Sequence, residues 1–118
     1  PASPPTVEPL AAIPSFWSEG RFRLFISHHS SQKEAVALLQ KELSWLGVSA
    51  FVAHNDIEPS TLWQREIERS LLSCEALVAV ISPEFVSSHW CDQEVGFALG
   101  RGLEVIPIAW GATPHGFI

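Results

Sequence analysis

The chain has 118 residues, 47% of them hydrophobic and 17% charged, with a mean hydropathy of +0.18. That balance belongs to a single compact globular domain and excludes an intrinsically disordered chain. Seven Lys and Arg against thirteen Asp and Glu give a net charge of −6, without the basic footprint that a nucleic-acid backbone requires.

No apolar run approaches the roughly 18 to 20 residues that span a bilayer, and no leader pattern of basic, apolar and cleavage regions opens the chain. Cys74 and Cys91 are the two cysteines, too few for a disulfide framework and each in an apolar or helical stretch. A cytoplasmic setting with reduced thiols is expected, with neither nucleic acid nor membrane as partner. Residues 1–20 read as a Pro-rich linker or arm, because residues 1–15 hold five of the nine prolines and so cannot sustain regular hydrogen bonding. Such an arm, the lack of any Met and the abrupt end at Phe117-Ile118 lead to the expectation of a longer protein with a further sensor or effector module.

From Phe22 the run FRLFIS predicts a strand buried on most of both faces. Ser30 and Ser31 offer helix N-caps, Ser31 with Glu34 at capping-box spacing. Ala35, Leu38, Leu39, Leu43 and Leu46 then recur at helical intervals until Gly47, predicting a helix of about four turns. Val48 to Val52 is a second strand, followed by the polar loop HNDIEPST. Thr61 and Gln64 have capping-box spacing ahead of a helix with Leu62, Trp63, Ile67, Ser70 and Leu71 on its stripe, ending before Glu75.

Ala76 to Ile81 is continuously apolar, as in a central parallel strand. A short turn or helix at Pro83 to Val86 leads to a helix from Trp90 to Leu99, closed by Gly100 and Gly102, and Glu104 to Trp110 forms a fourth strand. Strands and helices alternating at this spacing give an α/β fold with a flavodoxin-like parallel sheet and helices on both faces. Ligands of such sheets bind beyond the carboxyl ends of the strands, where the strand order reverses. The loops at Ser27 to Ser31, Val52 to Ser60 and Ser82 to Trp90 all lie at that end.

Three segments, FISHHSSQK, FVAHNDIEPSTLWQREIERSL and ISPEFVSSHWCDQEVGFALGRG leading to VIPI, taken in this order and at these separations, resemble the TIR (Toll/interleukin-1 receptor) domain family in its bacterial form. The resemblance covers about residues 22 to 110 and assigns residues 21–118 to a TIR domain. It implies a fold of five parallel strands, of which the last strand and the terminal helix are missing here, so that the chain is expected either to leave a sheet edge exposed or to have lost an ordered tail. Many bacterial members consume NAD in defence against phage, so the resemblance implies cleavage of the nicotinamide–ribose bond, with NAD as substrate, no further cofactor, and self-association through TIR–TIR contacts.

The family's catalytic glutamate lies in a W-x-x-x-E pattern, carried here as Trp90-Cys91-Asp92-Gln93-Glu94. The interval of four puts Trp90 and Glu94 on one helical face. Nicotinamide leaves a pyridinium as a neutral molecule and needs no acid, so the chemical task is to stabilise an oxocarbenium-like ribose, which one carboxylate near the ribose can do. By spacing alone the ordinary reading of Glu94 is a solvated helix residue; the catalytic role is what the resemblance implies. Trp90 is either core or a wall of the nicotinamide pocket.

The resemblance further implies that His28, His29 and Ser30 contact the phosphates or ribose of NAD. The family often has arginine at the His29 position, and a neutral His is a weaker partner for an anion. Asp56, Glu58, Leu62 and Trp63 fall in the family's BB loop and the start of the next helix, which closes over substrate or docks on a neighbouring copy. Ser60 stands where the bacterial pattern has Gly, restricting left-handed backbone conformations. For Asp56 and Glu58 the plain alternative is solvation at a helix start. His28, His29 and His54 share one end of the sheet, but their spacing matches no zinc pattern, so no metal is expected.

Two function classes follow: an NAD glycohydrolase, with cyclisation to a cyclic ADP-ribose species as a variant outcome, and a non-catalytic TIR adaptor. A receiver domain of similar winding wants an Asp after its third strand, where this chain has Ser82-Pro83.

Overall fold

The computed structural model describes residues 13–52 and 61–114, with residues 61–63 described by their backbone alone. Four strands, β1 (Phe22–Ser27), β2 (Val48–Val52), β3 (Ala76–Ile81) and β4 (Glu104–Ala109), form one parallel sheet in the order β2-β1-β3-β4. Ile26 pairs with Val52 on one side and Val78 on the other, and Ile81 pairs with Ala109. The helices are α1 (Lys33–Ser44), α2 (Thr61–Ser73), the single turn α3 (Pro83–Val86) and α4 (His89–Gly100).

The pleat of β1 and β3 sorts their side chains into two layers. Phe25, Leu77, Ala79 and Ile81 pack with Ile67 and Leu71 of α2, Phe85 of α3, and Cys91, Val95 and Ala98 of α4. Leu24, Ile26, Ala76, Val78 and Val80 face the other way, toward Val36, Leu39 and Leu43 of α1. Every β3 residue is buried, which is why that strand reads as an unbroken apolar run rather than an alternation. Full burial of Phe25 and Phe85 contributes about 2–3 kcal/mol apiece.

The α1 stripe differs from the expected one. Leu38 and Leu46 are exposed, whereas Val36, absent from the expected stripe, is buried. Nor does Ser31 cap α1. A 3-10 turn at Ser30–Gln32 precedes the helix, His29 caps that turn by accepting from Ser31 N–H, and Gln32 at the α1 N-cap makes no side-chain bond. Gly47, at φ +82°, lets the chain leave α1 and enter β2 in a left-handed conformation.

Phe16 and Trp17, within the stretch expected to be linker, belong to the core. Trp17 is buried against Phe16 and Phe51 with its indole N–H donating to Ser73 Oγ at 2.8 Å. Ser18 N–H is held by Ser49 Oγ. Packing therefore begins ahead of residue 21.

β4 has β3 as its one neighbour among the described residues, and most of its side chains are exposed. Pro107 in this edge strand removes a backbone donor, a common way of blunting an edge. Among the described residues no helix is long and apolar enough to cross a membrane.

Candidate active site

The strand order reverses between β1 and β3. The chain leaves β1 toward α1 on one face and leaves β3 toward α3 and α4 on the other, which opens a crevice at their carboxyl ends. Two serines shape the second exit. Ser82 Oγ accepts from Phe85 N–H to start α3, with Pro83 at its first position, and Ser88 Oγ accepts from Cys91 N–H to start α4.

Beyond Ser88, α4 turns Cys91, Glu94, Val95 and Ala98 inward. These positions are the i, i+3, i+4, i+7 stripe of a core-facing helix, and Glu94 is its one ionisable carboxyl. Glu94 is 3% exposed, so it is no solvated helix residue. Its Oε1 accepts from Ser27 Oγ at 2.7 Å. Its Oε2 is buried and makes no hydrogen bond among the described residues.

Burial outweighs everything else acting on this carboxyl and raises it from 4.5 to about 8. The Ser27 hydroxyl and, more weakly, the indole of Trp90 one turn earlier oppose that rise. Trp90 Nε1 is itself buried without a hydrogen bond of good geometry among the described residues; the indole therefore acts on Glu94 by proximity rather than through a formed bond. Cys91 lies in the same cluster, near Ser27 and Glu94, and burial pushes its thiol up to about 11, leaving it a packing group.

A groove of about 400 Å³ runs between α2 and α4, lined by Ile67, Glu68 and Leu71 on one side and Trp90, Glu94 and Phe97 on the other. Its walls are mainly apolar, with Glu94 contributed by α4 and Glu68 by α2. Such a cleft suits a flat ring ligand with a positive charge.

Of the other expected site residues, His28 is buried, with Nδ1 3.4 Å from its own strand's Ile26 carbonyl oxygen. His29 is half-buried. Its Nδ1 accepts from Ser31 N–H at 3.1 Å. Ser30 is half-buried at the start of the 3-10 turn, and Ser31 Oγ reaches across the crevice to Glu84 at 3.2 Å. Leu62 and Trp63 lie in the first turn of α2. Asp56, Glu58 and His54 lie outside the described residues. Ser27 was not among the expected site residues. Its signal was parity: two positions after Phe25 on the same strand, it faces the α4 layer.

Residues 24–116 match the family model described as a TIR domain. The chain belongs to the TIR family. This TIR domain is 24% identical over 98 residues to a protein of Brachypodium distachyon named as a probable 2' cyclic ADP-D-ribose synthase, BdTIR; the match takes in 81% of this chain and 44% of that one. The chain thus spans less than half of that relative's length. Its fold also matches the crystal structure of the TIR domain of the Toll-related receptor TRR-2 from Hydra magnipapillata, with TM-score 0.65 and 21% identity over 81% of this chain and 76% of the other. The parallel sheet with helices on both faces is the TIR fold.

Proposed function

We propose that this TIR domain cleaves NAD at the nicotinamide–ribose bond, with Glu94 as the carboxylate that stabilises the transition state. The observation that carries the reading is a buried carboxyl at the switch point of the sheet, with one oxygen held by Ser27 and the other without a partner among the described residues. Buried polar atoms are normally satisfied, and those left open gather at functional sites. The likeness to a probable 2' cyclic ADP-D-ribose synthase supports the same chemistry, since making a cyclic ADP-ribose from NAD begins with loss of nicotinamide.

In the reaction the C1′–N bond breaks, its electron pair stays on nicotinamide nitrogen, and positive charge develops on the ribose. A carboxylate beside that charge lowers the barrier electrostatically. Attack by water gives ADP-ribose and a proton; attack by a hydroxyl of the nucleotide itself gives a cyclic product and likewise releases a proton. Glu94 must be ionised to act. The pyridinium of NAD supplies the opposite charge that favours ionisation of a buried acid, so the arriving substrate charges the group that acts on it.

Self-association belongs to this reading: a neighbouring copy completes a site whose carboxyl is buried in the single chain. The resemblance of the three sequence segments to bacterial TIR domains, many of which act against phage, supports a role in defence of that kind. A second reading, a non-catalytic adaptor, is favoured by the depth of Glu94, since a carboxyl 3% exposed also serves packing.

The test is nicotinamide release from NAD by the full-length protein, alone and under forced clustering, beside Glu94→Gln. The expected result is turnover that falls by about a hundredfold or more in the variant, the usual cost of losing such a stabilising group. Equal rates would remove Glu94 from the mechanism, and no turnover in any assembled state would leave the adaptor.

A further inference from the structure

Successive residues of β1 point to opposite faces of the sheet. Phe25 lies in the layer beneath α2 and α4, Ile26 in the layer beneath α1, and Ser27 returns to the α4 side. An apolar residue there would extend the core. The chain instead places a hydroxyl with 0% exposure, and a hydroxyl so buried needs a partner. The partner is Glu94 Oε1 at 2.7 Å, 67 residues away in sequence.

This bond has two consequences. It fixes the rotation of the carboxyl about its last side-chain torsion, which is otherwise broad. It also occupies one oxygen and leaves Oε2 as the one without a partner among the described residues. Trp90 and Cys91, both on its own helix, are the other groups beside the carboxyl; Glu68 of α2 lines the same groove, and the buried His28 follows Ser27 just beyond the end of β1.

We infer that Ser27 is the positioning residue of Glu94: its hydroxyl holds Oε1 so that Oε2 is the single oxygen offered to a cationic ribose or pyridinium. The inference rests on the NAD-cleaving reading for its chemistry and on the Ser27–Glu94 geometry for its structure. Ser27 itself touches no substrate. It acts through Glu94, so its loss changes the acidity and aim of the carboxyl rather than the affinity for NAD.

The experiment compares wild type, Ser27→Ala and Ser27→Thr in the full-length protein under clustering. Nicotinamide release is followed against pH, and the Glu94 carboxyl is titrated in parallel by carbon-13 NMR, its signal assigned with Glu94→Gln. Removing the donor that favours the charged form moves both midpoints upward by about one pH unit, which lowers kcat about tenfold near neutral pH, leaves KM nearly unchanged and restores activity in alkali. Ser27→Thr keeps the hydroxyl and therefore the wild-type titration midpoint, although its added methyl lowers stability at so buried a position. If Ser27→Ala does not fold, Ser27→Cys, of similar size and a weaker donor, takes its place with a shift in the same direction.

A rate that falls equally at every pH with an unmoved titration overturns the inference, as does a Ser27→Ala protein indistinguishable from wild type. The two readings fail separately. Active wild type with a titration indifferent to Ser27 sinks the positioning role alone, whereas a Ser27-dependent titration in a protein that never cleaves NAD upholds the hold on Glu94 and sinks the enzymatic reading.

Discussion

Replacing Glu94 with Gln keeps the size of the side chain and an acceptor for Ser27 while removing the ionisation, and the consequence for stability can be worked out in advance. Burial lifts the carboxyl from 4.5 to about 8, so between those values the folded chain keeps a proton that the unfolded chain has released. The stability associated with the neutral form is fully present below the unfolded value and drains away as pH rises through the folded one. Each pH unit in the window is about 1.4 kcal/mol, so wild type loses about 3 kcal/mol by about pH 7 and about 5 kcal/mol by about pH 8. Both are upper values, because a protein interior relaxes around a group that becomes charged and so lowers its cost. Against a total of roughly 5–15 kcal/mol for a domain of ordinary stability, this is a large share. The Gln variant has no such titration. Urea denaturation of both proteins at a series of pH values gives the difference curve directly: small near the acid end, then growing in favour of Gln toward alkali. A difference that stays constant across the window would refute the reasoning, because it would mean that Glu94 titrates alike in the folded and unfolded chains.

Two further outcomes follow from the packing. Trp17→Ala removes a buried ring and its bond to Ser73, and denaturant midpoints should show a loss of about 3–5 kcal/mol, as for other large core aromatics; a loss below about 1 kcal/mol would return residues 13–20 to the status of an arm. Cys91, with its thiol pushed up to about 11, and Cys74, also raised by burial, should resist alkylation by iodoacetamide at neutral pH in the folded protein and react once urea unfolds it, as mass spectrometry reads. Rapid modification of Cys91 in the native state would show that α4 does not seal the site.

The four strands were legible in the sequence within about a residue, because burial on two faces writes itself as an uninterrupted apolar run in β3 and as the apolar stretch Leu24 to Ile26 in β1. Helices were legible in place but less so in face. Periodicity proposed Leu38 and Leu46 for the α1 stripe, while Val36 is buried with Leu39 and Leu43 packed beside it; the longer run of leucines masked the set one position away. The start of α1 was misread because Ser31 and Glu34 have the capping-box interval, whereas the His29 ring takes the Ser31 N–H first. Trp17 was hidden by its neighbours, since a proline-rich stretch has no period from which burial can be inferred. At the site, spacing put Trp90 and Glu94 on one face of a helix but carried nothing about depth, which depends on the strands beneath. The link from Ser27 to Glu94 joins residues far apart in sequence, and such a contact becomes visible only once β1 and α4 are packed.

Arg101, the residue that ends α4, reaches the carbonyl oxygens of Leu71 and Cys74, while Arg23 Nε holds the Ser73 carbonyl from below at 2.7 Å. Two guanidinium groups thus grip the last turn of α2, where unpaired carbonyls gather and a positive charge is best placed. The carboxyl ends of the two helices that wall the groove are thereby tied to each other and, through Arg23, to the first strand of the sheet.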